Sequence, residues 1–375
     1  MLNRFNHLQP VRFIILLTVL LSSVVNPKSV SALVFTASGT FRYVNESGGF
    51  SFVKNARVEI YVNGAFVAST STSATDGSFA TPVNFNGNNF SVYAVAVASR
   101  SNGRIVVTNA AASPVTYNLA TSSASCNSCT SVSLGVTTIS GESDKRAFFI
   151  FDKLQSSQEA LSQSPINWTQ PENVSAVYPS SANSSYLPSS NKIQIFGNPG
   201  VTYGDGFAAS PIIHEYGHAV MELVYVNYPN VPTCNPHGFD DISNPPCAWT
   251  EGWANYFQAW MRGVSNYVFA SNAAVEFETL TASRPLGPAS ESAVTATLWD
   301  IYDSTATNEP WDQLSIGAGP IWDVFKNGTK PDAIGKFQKD WVANSSQATY
   351  ARKVAINFCA HQAANGCVAV PFVKK

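Results

Sequence analysis

The stretch Ile213-His214-Glu215-Tyr216-Gly217-His218-Ala219-Val220 sets two histidines four residues apart inside an apolar run. Four residues is about one turn of an α-helix, so both imidazoles project from one face and can share a metal ion. Glu215 lies beside that face, placed to take a proton from a water activated by the metal rather than to bind the metal itself. A catalytic zinc needs a third protein ligand and an open fourth position. The segment Ala248-Trp249-Thr250-Glu251-Gly252-Trp253-Ala254-Asn255-Tyr256-Phe257 offers Glu251, expected in the first turn of a second helix. Asn255 lies four residues further on the same face and can accept a hydrogen bond from the outer nitrogen of a ligating histidine, fixing its tautomer. A carboxylate near a helix N-terminus is also favoured by the helix dipole alone. Beside the paired histidines, the ligand reading of Glu251 is preferred.

Working outward, the residues before the zinc motif change period. From Leu33 to about Ala120 apolar and polar residues alternate, as in Ala56-Arg57-Val58-Glu59-Ile60-Tyr61-Val62, with turn signals at Asn63-Gly64, Asp76-Gly77 and Asn86-Gly87. Several short strands at this spacing predict a β-sandwich over residues 33–120. The Ser/Thr-rich stretch 121–142 reads as a linker. Beyond it, helical spacing is expected from Lys145 to Leu161 and over 208–226, 250–261, 290–301 and 347–364, with a strand at Asn191–Phe196, so residues 143–375 form an α+β domain.

His214-Glu215-x-x-His218 followed by Glu251-Gly252-Trp253-Ala254 resembles the gluzincins, the zinc metallopeptidases that include thermolysin and fungalysin. The approach Ile193-Gln194-Ile195, then Tyr203-Gly204-Asp205-Gly206, then the zinc helix, is similar as well, and the resemblance implies that the 193–195 strand is a sheet edge that pairs with substrate. Ser290–Asp300 resembles a later buried helix of the fungalysin type, so the likeness covers about residues 143–303. It implies a zincin-like fold, one catalytic Zn2+ and a peptide or protein substrate, with apolar side chains preferred just after the scissile bond. Asn255 stands where such enzymes often have Asp, and no G-x-M-E-N signature of the gluzincin aminopeptidases is present, which favours an endopeptidase. The segment Ala74–Phe79 is similar to one turn of the transthyretin-like or carboxypeptidase regulatory-like sandwiches. For the oxyanion, His237, in the Cys234–Cys247 loop, and Tyr302 or Tyr256 are the candidates. The sequence leaves room for calcium without assigning residues to it.

Arg4 and Arg12 precede an uncharged stretch, Phe13–Val25, that ends near Val30-Ser31-Ala32. This is the layout of a secretory signal peptide over residues 1–32, and at 13 residues the stretch is short of a membrane span. Export makes disulfides the default for six cysteines, with Cys126/Cys129, Cys234/Cys247 and Cys359/Cys367 the simplest pairing. Seven N-x-[ST] sequons, from Asn45 to Asn344, are further sites of interest in a eukaryote. With 22 basic against 24 acidic residues and no basic run, the chain lacks the electrostatic footprint for nucleic acid. Nothing fixes the oligomeric state.

The expectation is therefore a multidomain secreted protein, an all-β sandwich followed by an α+β zinc metallopeptidase domain with Glu215 as general base. The rival reading is a surface-binding or adhesive protein whose metal site is only structural. That site would need a fourth protein ligand, with His237 the nearest choice.

Overall fold

The computed structural model describes residues 33–197, 204–226, 234, 237–278, 284–303, 314–344 and 350–362. The expected signal peptide, residues 1–32, and Cys367 lie outside them. Ten strands come first: β1 (Leu33–Val44), β2 (Phe50–Phe52), β3 (Ala56–Val62), β4 (Ala65–Ser71), β5 (Ser78–Phe85), β6 (Asn89–Arg100), β7 (Ile105–Thr108), β8 (Asn118–Ala120), β9 (Ala124–Asn127) and β10 (Ser131–Ile139). Helix α1 (Glu142–Ser162) precedes β11 (Val174–Ser180), β12 (Ser185–Leu187) and β13 (Lys192–Phe196). Then follow α2 (Ala209–Tyr225), α3 (Pro245–Arg262), the hairpin β14 (Asn266–Val268) and β15 (Ala274–Glu276), and α4 (Glu291–Tyr302), α5 (Ala318–Asn327), α6 (Ile334–Ala343) and α7 (Ala351–Gln362). The result is a β-rich N-terminal region and a largely helical C-terminal one. Among the described residues no helix is long and apolar enough to cross a membrane.

The alternation read from the sequence is the alternation of burial. In β3 every second residue, from Ala56 to Val62, is buried, and β1 buries Phe35, Ala37, Phe41 and Tyr43. Strand β1 pairs with β10, β2 and β5 in one sheet, while β6 is central to another. The two sheets meet through their inward aromatics, with Phe35 of β1 against Phe90 of β6 at 4.6 Å. Residues 121–142, expected as a linker, instead supply β9 and β10. Strand β9 pairs with β6 from Asn89 to Val92, and β10 lies parallel to β1 over seven residue pairs from Thr36 to Tyr43. Ser and Thr are tolerated there because one side of each strand faces solvent, so composition resembled a linker where backbone pairing made a strand. The Cys126–Cys129 disulfide closes the turn between them.

The second sheet does not stop at the expected domain boundary. Its order is β12-β13-β11-β7-β6-β3-β4, with β8 and β9 also on β6. Strand β7 pairs parallel with β11, Ile105 opposite Val174 through Thr108 opposite Val177. Strand β13 is flanked on both sides, by β11 and β12. The strand at 193–195, expected at the edge, is therefore internal, and β12 is the edge. Helix α1 packs against both this sheet and α2, which is why five consecutive residues, Ala147–Phe151, are buried instead of a single stripe.

Two glycines set the spacing of the central helices. A Cβ at Gly217 on α2 would lie 3.1 Å from the Cα of Ala254 on α3, and one at Gly252 on α3 would lie 2.5 Å from Val294 Cγ1 on α4. Gly252→Ala should cost about 1–3 kcal/mol by overpacking, read as a lower urea midpoint at unchanged slope. A chain beginning at Thr121 should fail to give a soluble folded monomer, because it removes the β7 partner of β11 and the β1 partner of β10. A monodisperse truncation with native-like near-ultraviolet circular dichroism would show that the two regions fold independently.

Candidate metal centre

Helix α2 has no side-chain cap at Ala208, but its first turn is tied down by Ser210, whose Oγ accepts from the Val268 backbone N–H at 3.0 Å and from Arg262 Nη1 at 2.7 Å. On its sheet side, Tyr216 donates to Gln170 Oε1 at 2.5 Å, and Gln170 donates to the carbonyls of Arg104 and Glu172. With α2 fixed at both faces, His214 and His218 point together toward α3. Helix α3 begins earlier than expected, at Pro245. Asn244 caps it through the Cys247 N–H at 3.0 Å, with prolines in the first turn. Glu251 thus sits in the second turn, beyond reach of the dipole effect that offered the competing explanation. The Cys234–Cys247 disulfide ties the preceding loop to this helix start.

Three donor atoms converge. His214 Nε2 lies 3.1 Å from His218 Nε2 and 3.2 Å from Glu251 Oε2, and His218 Nε2 lies 3.4 Å from the same oxygen. Ligands held tetrahedrally at zinc distances are about 3.3 Å apart, so the triangle has the size that one such ion requires. The tautomer fits as well. His214 Nδ1 is 2.8 Å from Asn255 Oδ1, and since that amide oxygen can only accept, Nδ1 carries the proton and Nε2 presents a lone pair to the centre. Burial works against the Glu251 anion, but the two imidazoles beside it, His218 foremost, outweigh it and hold the carboxyl well below its usual range. Glu251 is in the state that a ligand needs.

Glu215 has a different environment. Burial pushes its carboxyl up to about 7, His214 opposes this, Glu251 adds to it, and the Tyr186 backbone N–H of β12 opposes it. The edge strand therefore reaches the centre through its main chain. Tyr267, of β14, sets its ring edge-on to His214 at a centroid distance of 5.9 Å.

His237 is half exposed and lies outside the donor triangle. Its Nδ1 is 3.7 Å from Glu291 Oε2, and its ligand atom, one from Glu251 and one from Glu291 all fall within 4.8 Å of one another. Glu291 beside it pushes the imidazole up to about 9, against the effect of burial. Tyr256 and Tyr302 are not brought to the centre: their ring contacts are with each other and with Trp253, Trp260 and Trp299. Sequence reading missed Glu291, Tyr267 and the Tyr186 main chain. Glu291 follows the helix-capping Ser290, where an acidic residue looks like capping chemistry. Tyr267 and Tyr186 had no motif to mark them.

Residues 155–358 match the mycolysin C-terminal domain. The chain belongs to that family. The mycolysin C-terminal match covers more than half of the chain, running from within α1 to within α7, and takes in every donor described above. The ten N-terminal strands lie outside it. A search of the curated proteins finds no match.

Asn255 is buried, and its Nδ2 has no hydrogen-bond partner. Asn255→Ala should weaken zinc binding about 10–100-fold, and Asn255→Asp should tighten it by making His214 more basic and removing the orphaned donor. Competition with a chromogenic chelator measures both.

Proposed function

We propose that this chain is a secreted gluzincin-type zinc endopeptidase, with His214, His218 and Glu251 as ligands and Glu215 as general base. The observation that carries the reading is the donor triangle of 3.1–3.4 Å with Glu215 beside it and, among the described residues, no fourth donor in the group. A zinc ion held there supplies Lewis-acid polarisation of a peptide carbonyl and lowers the pKa of a water. Glu215, raised toward neutrality, takes that proton as the water attacks and returns it to the leaving amine. Asn255 holds His214 in the ligating tautomer throughout. His237, kept cationic by Glu291, is the favoured group for the developing oxyanion, since Tyr302 and Tyr256 contact the aromatic core. Membership of the mycolysin C-terminal domain family supports a peptidase. The signal-like leader and the disulfides support secretion. The adhesive alternative, which needs His237 as a fourth ligand, is disfavoured because His237 groups with Glu251 and Glu291 instead of with the two imidazoles.

Purified full-length protein should cleave unfolded casein. Glu215→Gln should still bind zinc through His214 and His218 while turnover falls by about 10²–10⁴-fold, the usual loss when a general base is removed. Undiminished proteolysis by that variant would falsify the assignment. Chelation should abolish activity and lower the melting temperature. Zinc restored at 100 times its dissociation constant should return about 2.7 kcal/mol of stability.

A further inference from the structure

Arg262, the last residue of α3, is a partly buried cation held by neutral groups. Its Nη1 lies 2.7 Å from Ser210 Oγ, 2.7 Å from the Asn266 carbonyl and 3.0 Å from Gln258 Oε1. Three elements, α2, α3 and β14, therefore fix the guanidinium through one nitrogen. Among the described residues it has no carboxylate partner, and its Nε and Nη2 make no hydrogen bond although neither is sealed from solvent. Burial lowers its pKa, and the only charged neighbour that opposes the effect is Tyr267. A guanidinium fixed in this way, with donors to spare, is matched by a carboxylate, which accepts two parallel N–H bonds.

Arg262 lines a cavity of about 880 Å3, the size of a ligand-binding cleft. Two more cations in its wall, Lys145 and Arg146 of α1, share one carboxylate, Glu142, at 2.6 and 3.5 Å. The Glu142 side chain is 70% exposed, so solvent weakens both pairs. The rings of Phe207 and Phe269 add apolar surface, and Val44 and Glu46 close the cavity from the end of β1. Residues 44–46 and 142–146 lie outside the mycolysin C-terminal match, so the cavity is built where the N-terminal strands meet the metal-bearing helices. It also adjoins the metal centre. Ser210 and Val268 line it; Ser210 stands one helical turn, about 6 Å, before His214, and Tyr267, next to Val268, sets its ring against His214. Extended chain rises about 3.3 Å per residue, so a peptide at the centre reaches the cavity within a few residues. We propose that the cavity is an exosite that binds a carboxylate through Arg262 and so holds an acidic side chain of the peptide presented to the metal centre. The substrate role rests on the peptidase reading; the binding of a carboxylate does not.

Calorimetric titration of the full chain with the blocked tripeptide acetyl-Phe-Glu-Phe-amide tests it. The peptide should bind at least tenfold more tightly than its Gln counterpart, and added salt should erase the difference. Arg262→Gln should erase it as well. Because Arg262 also braces α2 against β14, the exposed Glu142→Gln provides a second variant: it frees Lys145 and Arg146 and should tighten binding of the Glu peptide at least twofold. Binding should survive in His214→Ala; its loss there places the carboxylate on the metal and overturns the proposal. Acetyl-Phe-Gln-Phe with a free C-terminus separates the two sources of a carboxylate, and affinity equal to that of the Glu peptide overturns the assignment to an acidic side chain. In longer fluorogenic peptides, Glu in place of Gln within three residues of the cleaved bond should lower KM at least threefold with kcat unchanged. Equal affinity for the Glu and Gln peptides in a preparation that cleaves casein overturns this proposal and leaves the peptidase reading standing. Selective binding in a preparation that cleaves nothing overturns the peptidase reading and the substrate role with it.

Discussion

At Gly217 the backbone of α2 comes so close to α3 that a methyl group would touch the Cα of Ala254 at 3.1 Å and Phe257 at 3.2 Å. This contact sets how near the two helices run. With α3 held at that distance, the Glu251 carboxylate lies 3.2 and 3.4 Å from the two imidazoles. The Trp253 indole donates to the Gly217 carbonyl at 3.2 Å and locks rotation at the same point, while its ring stacks on Phe325 of α5 at 3.6 Å. Gly252 repeats the device one layer on, bringing α4 and therefore Glu291 against α3. The two glycines thus fix the geometry, and the convergence of His214, His218 and Glu251 follows from it.

That geometry divides two neighbouring glutamates into opposite states. Glu251 faces both imidazole rings and stays ionised; Glu215, one residue from His214 along the helix, faces burial with a single main-chain donor from Tyr186 and rises toward neutrality. Sequence distance does not produce the split. The two groups share one neighbourhood but stand on different helices, so one carboxyl is held down by imidazoles and the other is raised by burial toward neutral pH, the division that the proposed ligand and base roles require.

The local arrangement was legible because it is written in helical periodicity: His214 and His218, one turn apart, meet at 3.1 Å, and Asn255, one turn after Glu251, meets His214 at 2.8 Å. What periodicity does not supply is the start of α3 at Pro245, which depends on the Asn244 cap, or the existence of α5 and α6, whose apolar stripes over 318–327 and 334–343 are too short to mark a helix. Edge and centre of a sheet also leave the same local pattern. Ile193 and Ile195 alternate as an edge strand would, and only the short β12, three residues with no strong signal, makes them internal. The Ser/Thr-rich strands β9 and β10 failed for the same reason in reverse, since their partners lie 30 to 100 residues away.

Long-range pairing also changes the standing of the N-terminal strands. They contribute no histidine to the donor set, but α1 is held to them by Tyr43 Oη donating to Asp152 at 3.2 Å, Asn55 Nδ2 to Gln155 at 3.0 Å and Arg100 Nη1 to Gln158 at 3.0 Å. Helix α1 in turn packs on α2, and the ladder from β7 to β11 carries the same sheet on to β13 and β12, whose Tyr186 N–H meets Glu215. Glu215, the proposed general base, is therefore positioned from two directions, through α1 on one side and through the sheet edge on the other, and both paths begin in strands before residue 110. A region with no ligand of its own can still decide where the proton acceptor sits.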